Sequence, residues 1–142
     1  MFRLALDDPT AFISGWSEPQ TGDGLTYRWM QAEHAELHVQ AEGPWRVLGV
    51  HCRFVDAVHH DLSVVATQAG EPVATGTLRW LGRGMHHQQV VLDRVVPTGP
   101  CSVHLDAVQV WREPANGRAL SVAFAQIRGR SHSGLARRLI RG

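Results

Sequence analysis

The chain has 142 residues, 44% of them hydrophobic and 19% charged, a composition typical of a folded domain and not of a disordered segment. Its formal net charge is only +1, so the overall charge does not indicate nucleic acid as a partner. All 14 basic residues are arginine, whose planar guanidinium can make two-point contacts with carboxylates and phosphates. A single domain of this length can bury a hydrophobic core without disulfides or metal ions.

The N-terminal segment, MFRLALDDPTAF, lacks the apolar core and the small-residue cleavage site of a signal peptide. No run of the sequence approaches the roughly 18 apolar residues that span a bilayer. We therefore expect a cytoplasmic protein, with association to a membrane as an alternative, unless the chain was trimmed or is part of a longer polypeptide. Cys52 and Cys101 are too few for a disulfide framework, and the sequence leaves open whether they pair.

The first half of the chain contains segments in which apolar and polar residues alternate. Residues 2–6 predict a first strand, and the glycine-rich turn at 21–24 predicts a hairpin or a closely returning loop. In the run at 29–40, Leu37 and Val39 share one side while polar residues share the other, which predicts a half-buried strand at the end of that run. Residues 48–54 alternate in the same way, which predicts another strand.

The second half continues this pattern of strands and turns. Segments 62–66 and 73–80 predict a hairpin closed through Ala69 and Gly70. Residues 88–91 predict a short strand, and a change of apolar side after Leu105 predicts a bulge near Asp106. A loop at 112–118 and a closing strand at 120–127 follow. Eight or nine strands predict an all-β antiparallel sandwich, preferably a jelly roll, over residues 1–129.

Residues 130–142 have a different pattern and predict a short basic helix or tail with one apolar face. Such a segment can dock into a groove of a partner protein or onto an anionic membrane surface. The alternative is a frayed, solvated terminus. The residues expected to make the docking contacts are Arg130, Leu135, Arg137, Arg138, Leu139 and Arg141.

The nine histidines do not predict a metal site. His34 and His38 have a spacing that suits a helix, but on a strand four residues span about 13 Å, too far for one zinc ion. The adjacent pairs at 59–60 and 86–87 point to opposite faces of any strand that contains them. We therefore predict no metal and no cofactor.

The sequence also lacks a recognisable catalytic motif. There is no Gly-x-Ser-x-Gly element, and Ser14-Gly15 is only a fragment of one. Glu18 is the only acid in an aromatic setting, and it has no evident partner for carboxylate-pair catalysis. These observations predict a protein that is not an enzyme.

The stretch at 12–31 is the most distinctive part of the chain, and two interpretations stay open. In the first, exposed rings such as Trp16 serve as platforms for sugar faces. In the second, Trp29 is buried and Glu18 pairs with Arg28 to hold a hairpin together.

Two short motifs carry a resemblance to a known family: Gly15-Trp16-x-Glu18 followed by Arg28-Trp29, and Trp111-x-x-Pro114 followed by Gly117-Arg118-Ala119-Leu120-Ser121-Val122. Between residues 12 and 128 the chain resembles a bacterial jelly-roll β-sandwich domain that is associated with glycosyltransferases and polysaccharide-synthesis proteins. It departs from that pattern at Met30, where a threonine is usual, and at Ser121, where a glycine is usual.

The resemblance implies a non-catalytic accessory module that binds carbohydrate or a protein partner. An alternative is a structural subunit of a larger assembly, docked through the sandwich surface and the arginine-rich tail. The residues that the resemblance marks for ligand binding are Trp16, Glu18, Arg28, Trp111 and Arg118.

Overall fold

A computed structural model describes residues 1–55, 59–108 and 110–131, and these contain thirteen β-strands. The eight longer strands are β4 (Leu25–Trp29), β5 (His34–Ala41), β6 (Trp45–Phe54), β7 (Leu62–Gln68), β8 (Glu71–Leu78), β9 (His86–Val96), β10 (Gly99–Ala107) and β13 (Val122–Arg130). Five strands of two or three residues complete the set: β1 (Phe2–Leu4), β2 (Phe12–Ser14), β3 (Gln20–Gly22), β11 (Trp111–Arg112) and β12 (Ala119–Leu120).

The strands form two antiparallel sheets and a small hairpin. The six-stranded sheet has the order β3-β4-β13-β6-β9, with β1 also paired to β13. The five-stranded sheet has the order β2-β5-β10-β7-β8, and β11 pairs with β12. The predicted all-β, jelly-roll-like antiparallel sandwich is confirmed.

The core lies between the two sheets because each contributes its apolar side to one cluster. In β5, for example, Ala35, Leu37, Val39 and Ala41 are buried while the residues between them are more exposed. This is the predicted half-buried strand, although it begins at His34 because β4 already ends at Trp29.

Both cysteines belong to this core and are free. Cys52 comes from the six-stranded sheet and Cys101 from the five-stranded sheet. Burial raises the pKa of Cys52 to about 12 and that of Cys101 to about 11.

Two of the hairpins are closed by two-residue turns with positive φ angles. Asp23 and Gly24 have φ of 52° and 76° between β3 and β4, and Ala69 and Gly70 have φ of 52° and 79° between β7 and β8. Two successive positive φ angles characterise the type I′ turn, whose twist matches that of the paired strands. Both hairpins that the sequence predicted are therefore confirmed.

The predicted bulge near Asp106 is wrong. β10 pairs with both neighbours without a register shift as far as Asp106 on β5 and Ala107 on β7. The apolar alternation changes afterwards because the strand ends at Ala107, and Val108 is 79% exposed.

Several other strand boundaries differ by two or three residues from those predicted, and two strands differ more. The short strand expected at 88–91 is β9, an eleven-residue strand. The closing strand expected at 120–127 is divided at Ser121: Leu120 pairs in the small hairpin, and β13 begins at Val122.

The predicted basic tail lies outside the described residues from position 132 onward, so the proposed division at 129/130 stays a prediction. β13 itself extends to Arg130. Within the described ranges, no helix has the length and apolarity needed to cross a bilayer.

Candidate functional site

Trp16 packs against the core and makes one side-chain hydrogen bond. Its ring makes edge-on contacts with Phe12, at a centroid distance of 5.1 Å, and with Phe124, at 5.6 Å. Its indole Nε1–H donates a 3.0 Å hydrogen bond to the carbonyl oxygen of Glu36. Much of the Trp16 ring and its Nε1–H group are therefore already in contact with the protein and are not available to a sugar.

The position before this tryptophan, occupied by Gly15, requires glycine for steric reasons. Its φ is +83°, and a Cβ at this position would overlap the carbonyl oxygen of His34. A side chain would push the segment off β5 and move Trp16 with it. The Gly-Trp pair is thus explained by packing against β5.

Arg28 is buried, with 6% of its surface exposed. Its Nε donates to the carbonyl oxygen of Leu6, its Nη1 donates to the carbonyl oxygen of Ser17 at 3.1 Å, and its guanidinium lies over Phe12. In the described part of the chain it makes no ion pair with Glu18, which is exposed. The ion pair proposed to hold the hairpin is therefore wrong, because backbone carbonyls take that role.

Trp111 and Arg118 lie in a different part of the structure. Trp111 packs with Trp29 against Val55 and Leu120, in a small apolar cluster separate from the main core. Arg118 follows Gly117 in the β11–β12 turn, and its buried Nε has no hydrogen-bond partner in the described residues. Phe12 contacts both Trp16 and Arg28, so these two predicted residues are close together. Trp111 belongs to a separate cluster. The ligand-binding role of the five predicted residues stays a prediction.

The outer face of the six-stranded sheet carries two cavities that are lined by aromatic and polar side chains. Because Arg28 points inward on β4, its neighbours Tyr27 and Trp29 point outward. They line a cavity of about 150 Å³ together with Gly22, Asp23, Leu25, Arg53, Met85 and Ala123. Two half-buried aromatic rings thus border an open depression on this face.

A second cavity of about 230 Å³ lies further along the same face. Arg128 crosses Gly49 there, since a Cβ at Gly49 would lie 3.3 Å from the Arg128 side chain. The buried Nε–H of Arg128 has no acceptor among the described residues. The lining residues are Gly49, Val50, His87, Gln88, Gln89, Gln126, Arg128 and Arg130.

A pair of histidines lies between the two cavities. His51 on β6 follows Gly49 and precedes Arg53 on the outward side, and it is paired with His87 on β9. Their rings stack at 3.9 Å, and burial, followed by the charge of His87, lowers the pKa of His51. The outer face is therefore one continuous strip, which we call the sheet-face site and define by Tyr27, Trp29, Gln89, Gln126 and Arg128.

The sequence prediction missed the sheet-face site. The usable signal was the alternation in β6, β9 and β13, which places Gly49, Gln89 and Arg128 on the polar side of their strands. Only the register shows that these three positions are neighbours, because Gly49 is paired with both Gln89 and Arg128.

No protein-family model and no curated protein matches the sequence. The fold is similar to two solved structures. One is CsCBM6-3 from Clostridium stercorarium in complex with cellobiose, with a TM-score of 0.58, 6% identity, and coverage of 92% of this chain and 93% of that one. The other is a β-1,3-glucan binding CBM6 from Bacillus halodurans, with a TM-score of 0.57, 15% identity, and coverage of 92% and 96%. At these identities the likeness shows the fold alone, an antiparallel β-sandwich.

Proposed function

We propose that this protein is a non-catalytic module that binds carbohydrate through the sheet-face site. The observation that carries the proposal is Arg128, which lines a cavity together with amide side chains and whose buried Nε–H has no acceptor among the described residues. An unpaired buried donor costs free energy that a ligand oxygen would recover. Carbohydrate hydroxyls supply such oxygens in large number.

The site combines the two kinds of contact that a sugar requires. Aromatic rings can pack on the apolar C–H face of a pyranose, and Tyr27 and Trp29 are two residues apart on β4, about 6.7 Å along the strand. The amides of Gln89 and Gln126 can both donate to and accept from hydroxyls. Trp29 is paired with Ala123, and Arg128 lies five residues further along β13, about 17 Å at the usual rise, so an oligosaccharide can contact the rings at one end and Arg128 at the other.

The structural comparisons support the ligand class. Both neighbours are described as binding glucose-based ligands, one cellobiose and the other β-1,3-glucan. We extend this to the present chain as a preference for β-linked glucose oligosaccharides. The association with bacterial polysaccharide synthesis, implied by the resemblance of the two sequence motifs, belongs to the same proposal.

Calorimetric titration with cello- and laminari-oligosaccharides tests the proposal. Arg128→Ala is expected to weaken binding at least about tenfold, since a charged hydrogen bond contributes about 1.5–3 kcal/mol. Arg94→Ala is the matched control, because Arg94 is an exposed arginine on β9 outside the site. Equal affinities for the wild-type protein and a folded Arg128→Ala variant would refute the proposed site.

A second candidate function is docking to an anionic partner within a larger assembly or at a membrane. Arg3 is paired with Arg128, and Arg130 follows on the same side of β13, so three arginines are close together where the predicted tail begins. We infer that this basic edge and residues 131–142 act together in docking.

Removal of residues 131–142 separates the two candidates. If docking depends on the tail, the truncated protein will lose binding to vesicles that contain anionic lipid, or leave its complex in extracts of its own host, while its oligosaccharide affinity is unchanged. Unchanged vesicle binding and unchanged co-purification would exclude docking through the tail.

A further inference from the structure

A cluster of histidine and carboxylate side chains lies on the outer face of the five-stranded sheet, opposite to the sheet-face site. On β5 and β10, His34 is paired with Asp106 and Glu36 is paired with His104. Residues paired in this way have neighbouring side chains on one face. His34 and His104 are diagonal neighbours, and their rings stack with centroids 5.3 Å apart.

Each imidazole has one nitrogen held by a neighbour and the other directed into the cluster. His34 Nδ1 lies 2.7 Å from Asp106 Oδ1, and an ionised carboxylate only accepts, so in the neutral imidazole this contact places the proton on Nδ1 and leaves a lone pair on Nε2. His104 Nε2 lies 3.2 Å from Thr67 Oγ1, which can accept a hydrogen bond from Nε2–H, and in that tautomer the lone pair is on Nδ1. The two inward nitrogens are 3.4 Å apart.

Glu36 provides a third ligand atom. Its Oε1 lies 3.5 Å from His104 Nδ1, and the ligand atoms of His34, Glu36 and His104 all lie within 4.8 Å of one another. In a tetrahedral site with bonds of about 2.0–2.1 Å, ligand atoms are about 3.3–3.4 Å apart. Two of the separations, 3.4 Å and 3.5 Å, are therefore close to the edge length of a zinc tetrahedron, and the third is at most 4.8 Å.

We propose that His34 Nε2, His104 Nδ1 and Glu36 Oε1 bind a divalent transition-metal ion of the zinc type. Two imidazoles and one carboxylate suit such ions, whereas calcium and magnesium prefer sites made of oxygen. The fourth position faces solvent, because the His34 side chain is 48% exposed. Asp106 is a positioning residue, which fixes the tautomer and the ring orientation of His34.

This site was not predicted from the sequence. The histidine near His34 in the sequence is His38, which lies four residues away on the same strand. That pair remains too far apart along β5 to share an ion. The partner of His34 is His104, 70 positions away in sequence, and only the pairing of β5 with β10 brings the two together.

Zinc titration of the full, tag-free chain by calorimetry tests the proposal. We expect one zinc ion per chain, and His104→Ala should lower the affinity at least about a hundredfold, since it removes one of three protein ligands. His87→Ala is the matched control, because His87 and His51 also stack across two strands but form no three-ligand group with a carboxylate of the described residues. Failure of the wild-type protein to bind zinc, or equal affinity in the folded His104→Ala variant, would overturn the site.

Asp106→Asn tests the positioning role separately. We expect its zinc affinity to fall about 10- to 100-fold, as for other residues that orient a metal-bound histidine. The visible absorption spectrum of the cobalt-substituted protein should change as well, since it reports on ligand geometry. An unchanged affinity and an unchanged cobalt spectrum would remove Asp106 from the site. Oligosaccharide affinity should be the same in the His104→Ala and Asp106→Asn variants, because both residues lie on the other sheet, so the result is independent of the proposed function.

Discussion

Arg28 lies over the ring of Phe12, with its guanidinium carbon 4.4 Å from the ring centroid. The same guanidinium donates hydrogen bonds to the carbonyl oxygens of Leu6 and Ser17. One side chain therefore joins the N-terminal segment, the Ser17 loop and β4. An arginine next to an aromatic residue can suggest a ligand contact in the sequence, but here its contacts are with the protein.

Replacement of Arg28 should reduce stability. Arg28→Ala removes two charge-assisted hydrogen bonds and a cation–π contact, so we expect the free energy of unfolding to fall by about 3 kcal/mol. Urea denaturation followed by tryptophan fluorescence measures the change. Arg94→Ala, at an exposed site, should change it by less than about 0.5 kcal/mol. A loss for Arg28→Ala as small as that of the control would show that these contacts do not stabilise the fold.

Trp16 offers a graded test of its structural role. Trp16→Phe keeps an aromatic ring but loses the hydrogen bond to the Glu36 carbonyl, and we expect a loss of about 1 kcal/mol. Trp16→Ala also removes the packing against Phe12 and Phe124, and the expected loss is about 3–5 kcal/mol. Oligosaccharide affinity measured on folded Trp16→Phe protein should be close to that of the wild type. A selective loss of binding with little loss of stability would instead support the platform role predicted from sequence.

The lowered pKa of His51 predicts a dependence of stability on pH. In the unfolded chain His51 titrates near pH 6.5, and in the folded protein it titrates below that value because burial and His87 disfavour its charge. As the pH falls through this interval the unfolded state binds more protons, so stability decreases and then levels off. Arg53 is the other basic residue on this side of β6 near His51.

His51→Gln removes that titration and should reduce the loss of melting temperature between about pH 7.5 and pH 5.5. His60, whose pKa is also lowered by burial, remains in both proteins as a common background. An equal or larger loss in the variant would show that His51 does not contribute to the pH dependence.

The buried thiols should be unreactive in the folded protein. Because burial raises the pKa of Cys52 to about 12 and of Cys101 to about 11, neither forms appreciable thiolate near pH 8. Ellman's reagent should detect almost no thiol in the native protein and two per chain in denaturant. Rapid reaction of either thiol under native conditions would mean that the core opens more readily than its packing indicates.

The alternation of apolar residues was enough to predict the sandwich and its buried strand faces. The faces of β5 and β6 follow from side chains that alternate along each strand. The Asp23-Gly24 turn follows from two residues that tolerate positive φ.

The sites could not be predicted in the same way because they depend on the register between strands. Gly49 lies beside Arg128, and His34 lies beside His104, through pairings of residues 70 or more positions apart. Local alternation shows which face a residue occupies but not which residue is its neighbour. The same limitation led to the expected Glu18–Arg28 pair, since nothing in the local sequence indicates that the Leu6 carbonyl reaches Arg28.

The most direct test of the proposed function is nuclear magnetic resonance of the ¹⁵N-labelled protein during titration with a β-linked glucose oligosaccharide. The proposal predicts that the Nε–H signal of Arg128 shifts on binding, together with the side-chain amide signals of Gln89 and Gln126. The signal of Gln40, an exposed glutamine on the other sheet, should remain unchanged. If no signal shifts at saturating sugar, or if the shifts leave Arg128 and both glutamines unaffected, the sheet-face site does not bind carbohydrate.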